Sequence, residues 1–159
     1  IPFFDKDNQL IGAQGRALGE SKIRYVTVKV DEKLQKIFGL ERWNPEEHTY
    51  LVEGPIDSLF LPNCLAMGGA DLKNNNFLDK SKTTLIFDNE PRNFQIVRSM
   101  IKSLQDGWSV VIWPNSITCK DINDMVLTSI KDARLVEIIN RNTYSGQRGE
   151  WEVHSWKKI

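Results

Sequence analysis

Three short apolar runs in this chain end in acidic residues, and that pattern restricts the fold more than any other feature. "TYLV" (49–52) is followed at once by Glu53 and then by Gly-Pro, and "TTLIF" (83–87) by Asp88 and Glu90. "WSVVIWP" (108–114) leads through a loop to Asp121 and Asp124. Such short apolar runs read as strands covered on both faces. Around them lie helical patterns. "PIDSLFLPN" suits a helical turn or two with Pro55 at an early position, and "CLAMGG" is another short strand. Residues 91–105 carry Phe94, Val97, Ile101 and Leu104 at helical spacing. "INDMVLTSI" and "ARLVEIIN" are two further candidate helices. Strands alternating with helices predict an α/β fold, a parallel sheet flanked by helices.

The first 48 residues have a different character. "IPFF" and "LIGAQGRAL" flank the polar cluster "DKDNQ" and predict a hairpin. "IRYVTVKV" alternates as a half-buried strand should, and "DEKLQKIFGL" places Leu34, Ile37 and Phe38 at helical spacing before Gly39. The expected organisation is a small N-terminal β-rich (α+β) subdomain over 1–48, the sheet domain over 49–130, and a C-terminal helix and tail over 131–159. The tail, "TYSGQRGEWEVHSWKKI", is weakly patterned and predicts an appended strand or arm, or a partner contact.

With 40% hydrophobic and 26% charged residues in 159, the chain has the composition of a folded domain, not of a disordered segment. No apolar run approaches the roughly 20 residues that span a bilayer, so no membrane association is expected. The two cysteines, Cys64 and Cys119, stand far apart and read as core thiols; with His48 and His154 also isolated, no zinc-binding pattern exists. A formal charge of zero argues against a basic coat for nucleic acid, though not against a local groove in which acids and bases cancel. Because the first residue is Ile1, the chain is expected to be a fragment or a processed product.

The strand-end acids have a physical reading. Ligands of open parallel sheets bind beyond the carboxyl ends of the strands. If "TYLV" and "TTLIF" are neighbours, Glu53, Asp88 and Glu90 meet at one edge, where they would repel and force one another to take up protons. A divalent cation resolves the conflict, and carboxylates with water suit Mg²⁺ or Mn²⁺. Asp88 and Glu90, two apart, would share one side of a continuing strand, with Asn89 pointing away. Asp121 and Asp124 could join the same edge. Plainer readings stand beside these: Asp57 as a charge in a first helical turn, Asp121 as an N-cap, and Asp88 and Glu90 as loop acids.

Glu53-Gly54, Asp57 and the pair Asp88 and Glu90 resemble the Toprim domain, the metal-binding fold of bacterial-type primases, topoisomerases and certain nucleases and recombination proteins. The family's "DxD" stands here as "DNE". The likeness spans about 49–130. "IPFFDKDNQLIGAQGRAL" before it and "KDINDMV" after it resemble the flanks of the same domain in primases, and "IFDNEPRN" is most like the primases of T-even-like bacteriophages.

That resemblance implies metal-dependent, template-directed synthesis of short RNA primers on single-stranded DNA. Glu53, Asp88 and Glu90 would hold Mg²⁺ or Mn²⁺, two ions in all, with Asp57 in support and Asp121 as a further metal or nucleotide-associated acid. Asn123, where many primases have an acid, adds no charge. Arg16 would face the metals from the N-terminal subdomain. Lys22, Arg24, Arg92, Lys120 and Asp124 are candidates for nucleotide or template contact, and Gly12, Gly15 and Arg16 could alternatively only shape the hairpin. Phe3, Phe4, Tyr25 and Trp43 could stack on bases, although core packing suits most of them better. Implied partners are ribonucleoside triphosphates, a replicative helicase and a single-strand DNA-binding protein. The implied place of action is the cytoplasm of a phage-infected bacterium, with a zinc-binding region expected upstream. A Toprim nuclease cutting DNA or RNA, and a non-catalytic nucleic-acid-binding module, are the alternatives.

Overall fold

A computed structural model describes residues 1–20, 22–23, 25–30, 36–67, 77–128, 130 and 132–159. The chain begins with an antiparallel sheet of three strands in sequential order: β1 (Pro2–Phe4), β2 (Leu10–Arg16) and β3 (Tyr25–Lys29). Its first turn is held by Asp5, whose Oδ1 accepts the backbone N–H groups of Asp7 and Gln9, while Asn8 takes the left-handed conformation at φ 60°. Gly12 is required where β2 and β3 pair, since a Cβ there would lie 2.7 Å from the Val28 carbonyl oxygen.

A second sheet, ordered β5-β4-β6-β7-β8, is built from β4 (Thr49–Val52), β5 (Cys64–Ala66), β6 (Thr83–Ile86), β7 (Ser109–Val111) and β8 (Thr143–Tyr144). The first four run parallel, and β8 pairs antiparallel with β7. Successive side chains on these strands feed two cores. Leu51, Leu65, Leu85 and Val110 pack with α1 (Phe94–Gln105) and α4 (Gly146–Trp156), through Val97, Met100, Leu104, Val153 and Trp156. Tyr50, Val52, Ile86 and Val111 pack with α2 (Ile122–Leu127) and α3 (Asp132–Arg141), through Ile122, Met125, Leu135 and Ile139. Both faces are covered, which is why these strands read as unbroken apolar runs; each fully buried Leu or Ile contributes about 1.5–3 kcal/mol.

The architecture is the expected one, and several details are corrected. The buried stripe of α1 runs through Ile96, Val97, Met100 and Leu104, whereas Phe94 in its first turn is 62% exposed and Ile101 only partly covered. β3 is not half-buried: Val26, Val28 and Val30 are all exposed. Residues 31–35 of the predicted helix lie outside the described residues, and beyond them Phe38 instead forms an antiparallel bridge to Ala66. The tail opens with an appended strand, as expected, in Thr143–Tyr144, and continues as a helix, not an arm. Gly149 lets α4 approach so closely that a Cβ would collide with Leu104. Cys64 is a core thiol, but Cys119 is only partly buried, its Sγ 3.2 Å from Thr128 Oγ1. Among the described residues, no helix is long and apolar enough to cross a membrane.

Candidate active site

β4 and β6 are neighbours, with Val52 opposite Ile86, so Glu53 and Asp88 leave the sheet side by side at its carboxyl edge. The Trp113 indole N–H donates to the Phe87 carbonyl at 2.9 Å and pins the end of β6. Beyond it the chain does not continue as a strand: the Glu90 N–H donates to the Asp88 carbonyl at 2.8 Å in a tight turn. Asn89 is engaged by the neighbouring loop. Its side-chain amide donates to the carbonyls of Ile117 (2.9 Å) and Cys119 (3.0 Å), and its backbone N–H to that of Lys120 (2.6 Å). This lashing presents Lys120 to the acids, its Nζ 3.3 Å from Glu90 Oε1 and 3.7 Å from Asp88 Oδ2. Glu90 Oε2 accepts from Asn93 Nδ2 at 2.9 Å, while Asn93 Oδ1 caps α1 by accepting from the Gln95 N–H.

Gly54 and Asp57 act together. A Cβ on Gly54 would lie 2.5 Å from Asp57 Oδ2, so the glycine makes room for the carboxylate folded over it. Asp57 Oδ1 accepts the Asn123 backbone N–H at 2.9 Å, and Asp121 Oδ1 accepts that of Asp124 at 2.8 Å. The start of α2 is therefore capped from within by Asp121 and from the β4–β5 connection by Asp57.

Crowding shows in the titration of these groups. Burial, then the Asp88 and Glu90 charges, push Glu53 up to about 7, against weaker help from the Asp88 backbone amide and Lys120. Burial pushes Asp88 up to about 6; Lys120 opposes this, and Asp57, Asp121 and Glu90 add to it. Asp57 is also raised, mainly by burial. The acids face a cleft of about 570 Å³ lined by Glu53, Gly54, Asp57, Asp88, Lys120 and Asp121 together with Gln14, Arg16 and Tyr25 of the N-terminal sheet.

Among the described residues, no three His, Cys, Asp or Glu side chains are grouped closely enough to form a ready metal cage. The donor chemistry nonetheless fits a hard divalent cation. The donors are carboxylates, and Glu53 Oε1 is buried with no hydrogen-bond partner among the described residues.

The comparisons with known proteins point one way. Over 162 aligned positions, all of this chain and 47% of the relative, it is 30% identical to the DNA primase of Enterobacteria phage T4. The chain resembles DNA primase throughout its length. It spans about half of that relative, 47% of it. No family model matches it. The Aquifex aeolicus primase structure, containing the zinc-binding and RNA polymerase domains, superposes with a TM-score of 0.67 at 23% identity, covering 91% of this chain and 40% of that one. The DnaG primase catalytic domain bound to ssDNA superposes with a TM-score of 0.61 at 18% identity, covering 87% and 50%. The fold is that of primase catalytic cores, a helix-flanked sheet preceded by a small antiparallel one.

Within this primase-like frame the structure gathers Glu53, Asp57, Asp88, Lys120, Asp121, Asp124 and Arg16 around one cleft. Glu90 does not line this cleft; paired with Lys120, it lines a second hollow of about 500 Å³ with Arg92 and Lys158. Lys22 is exposed and does not line the cleft, and Arg24 lies outside the described residues. Of the aromatic candidates, Phe3 is buried against Phe38 and Trp43 bonds Thr49, whereas Tyr25 lines the cleft with the Arg16 guanidinium 5.7 Å from its ring centre. Sequence reasoning missed Gln14, which is buried and donates to Thr27 Oγ1 at 3.3 Å, and the anchoring by Asn89 and Asn93. A polar residue within the β2 apolar pattern was the available sign for Gln14; for the asparagines there was none, because their partners are loop carbonyls and a carboxylate.

Proposed function

We propose that this chain is the catalytic-core portion of a DNA primase, joining ribonucleotides into short RNA primers on single-stranded DNA. One observation carries the reading: the parallel pairing of β4 with β6 sets Glu53 beside Asp88 in a cleft that Arg16 and Tyr25 of the N-terminal sheet also line. Likeness to phage T4 primase over the whole chain supports it. Glu53, Asp88 and Glu90 would hold Mg²⁺ or Mn²⁺, with Asp121 beside them; when bound, two such ions activate the attacking 3′-hydroxyl and neutralise charge building on the phosphates.

The protein's own side chains do the rest. Asp57 holds the start of α2 and so keeps Asp121 at the cleft. Asn93 orients Glu90. Arg16 and Tyr25 offer a cation and an aromatic face to the template in the cleft, and phosphate contacts there make binding salt-dependent. Lys22, Arg24, Arg92 and Lys120 are assigned to nucleotide or template, with residues 1–48 forming the template wall and 49–130 the metal-binding Toprim unit. A DnaG catalytic domain has been solved with ssDNA, and another structural neighbour is the primase fragment of the phage T7 primase-helicase protein. The likeness supports single-stranded DNA and a replicative helicase as partners; ribonucleoside triphosphates, a single-strand-binding protein and the cytoplasm of an infected bacterium complete the proposal.

The test is one gel with two readouts. The chain is incubated with single-stranded DNA, four ribonucleotides and Mg²⁺ or Mn²⁺, beside a Glu53→Gln variant, and new RNA and shortened DNA are resolved together. RNA that depends on template, nucleotides and Glu53 is expected. Metal-dependent cutting without RNA would replace this reading with a nuclease, and unchanged RNA synthesis by Glu53→Gln would remove the acids from the reaction.

A further inference from the structure

We propose that the Lys120 ammonium is the resident counter-cation of the Asp88 and Glu90 carboxylates, and that a divalent ion has to displace it, so that Lys120 sets the affinity of the site for metal. The inference rests on reading these carboxylates as the metal site. Its geometry is specific. Nζ stands 3.3 Å from Glu90 and 3.7 Å from Asp88. The backbone that carries Lys120 is fixed by the bond from the Asn89 N–H to the Lys120 carbonyl, and its loop by the Asn89 amide on Ile117 and Cys119. The main chain therefore holds the lysine's base in place while its four-methylene arm is free to move.

Two further observations say that the arm can yield. The Lys120 side chain is 50% exposed, and it lines the open cleft, so the displaced ammonium passes into water and not into packed core. The pairing is also incomplete: the ammonium reaches Asp88 and Glu90, but Glu53 Oε1 stays buried and unbonded among the described residues. The tethered monovalent cation reaches two of the three strand-end acids and leaves Glu53 for the incoming ion. Lys120 thus holds the acids together without metal and competes with metal for them.

Lys120 is on this view a positioning residue, and metal binding, not turnover, reads it out. Mn²⁺ alone is titrated into the chain, without nucleotide or DNA, following the free ion by electron paramagnetic resonance. Four proteins are compared: the unsubstituted chain, Lys120→Met, Lys120→Arg, and Lys158→Met as a cation lining the neighbouring hollow. Lys120→Met is expected to bind Mn²⁺ about fivefold more tightly, the equivalent of about 1 kcal/mol for removing a half-exposed ion-pair partner. Lys120→Arg should stay near the unsubstituted affinity, and Lys158→Met should shift it less than about twofold. Equal or weaker binding by Lys120→Met, or an equal gain from Lys158→Met, would overturn the inference while leaving the metal site standing. If none of the four binds Mn²⁺, the metal reading falls and the inference with it.

Discussion

Gly54→Ala isolates the contact that ties the first strand-end acid to the start of α2. The backbone tolerates the change, since Gly54 is not among the glycines in the left-handed region. The new methyl does not fit: its carbon would stand 2.5 Å from Asp57 Oδ2, against an ordinary contact distance near 3.4 Å. The carboxylate has to turn or retreat by roughly 1 Å, which disturbs its 2.9 Å bond from the Asn123 N–H. A hydrogen bond to a charged acceptor contributes about 1.5–3 kcal/mol, and that is the expected loss of stability. Urea unfolding of Gly54→Ala, Asp57→Ala and the double variant measures it from the midpoints and slopes. With Asp57 already gone, Gly54→Ala should be neutral or stabilising by about 0.4–1 kcal/mol, because alanine restricts the unfolded chain. Equal losses in both backgrounds would show that the glycine serves something other than Asp57, and would refute the pairing.

Other consequences follow from the same geometry. Glu53 is raised from 4.5 to about 7, so its folded form binds a proton that the unfolded chain has released; this contribution to stability is intact below about 4.5 and is lost as pH rises through about 7. In chelator-treated protein, Glu53→Gln should therefore raise the Tm at pH 8 by about 3 °C or more and leave it nearly unchanged at pH 4.5, as read by calorimetry; a lower Tm at pH 8 would contradict the assigned crowding. Asn89→Ala removes two bonds to the carbonyls of Ile117 and Cys119, so hydrogen exchange across 117–121 should speed up at a cost of about 1–3 kcal/mol, while the α1 amides keep their protection. Gly149→Ala drives a methyl into Leu104 and should cost about 1–3 kcal/mol in urea unfolding; a neutral result would mean that α4 does not pack on α1 as described.

Much of this was written in the strands. "TYLV", "TTLIF" and "WSVV" are legible because a doubly covered parallel strand has to be apolar throughout, and the acids after them because ligand edges lie beyond carboxyl ends. The condition left open, that the first two of these runs be neighbours, is met by the pairing of Thr49–Val52 with Thr83–Ile86. α4 was not legible. "GQRGEWEVHSW" carries two glycines and little apolar periodicity, and it is helical because Gly149, Val153 and Trp156 dock it on the core, a tertiary effect. On α1 the sequence placed Val97 and Leu104 correctly, and Ile101 packs against the same core, but Phe94 in the first turn stays 62% exposed. β3 alternates as a half-buried strand would, yet its valines stay exposed, since alternation shows that faces differ but not that something lies over either. The link from Asn89 to Lys120 joins residues 31 apart through backbone carbonyls, which carry no sequence signature.

The most direct measurement is the position of Mn²⁺ in crystals of the chain grown with that ion, located by its anomalous scattering. Density within coordination distance of Glu53 and Asp88, with the Lys120 side chain turned away from Glu90, is the predicted result. Mn²⁺ bound elsewhere on the chain, with Lys120 still between Asp88 and Glu90, would contradict a metal site at the edge of β4 and β6.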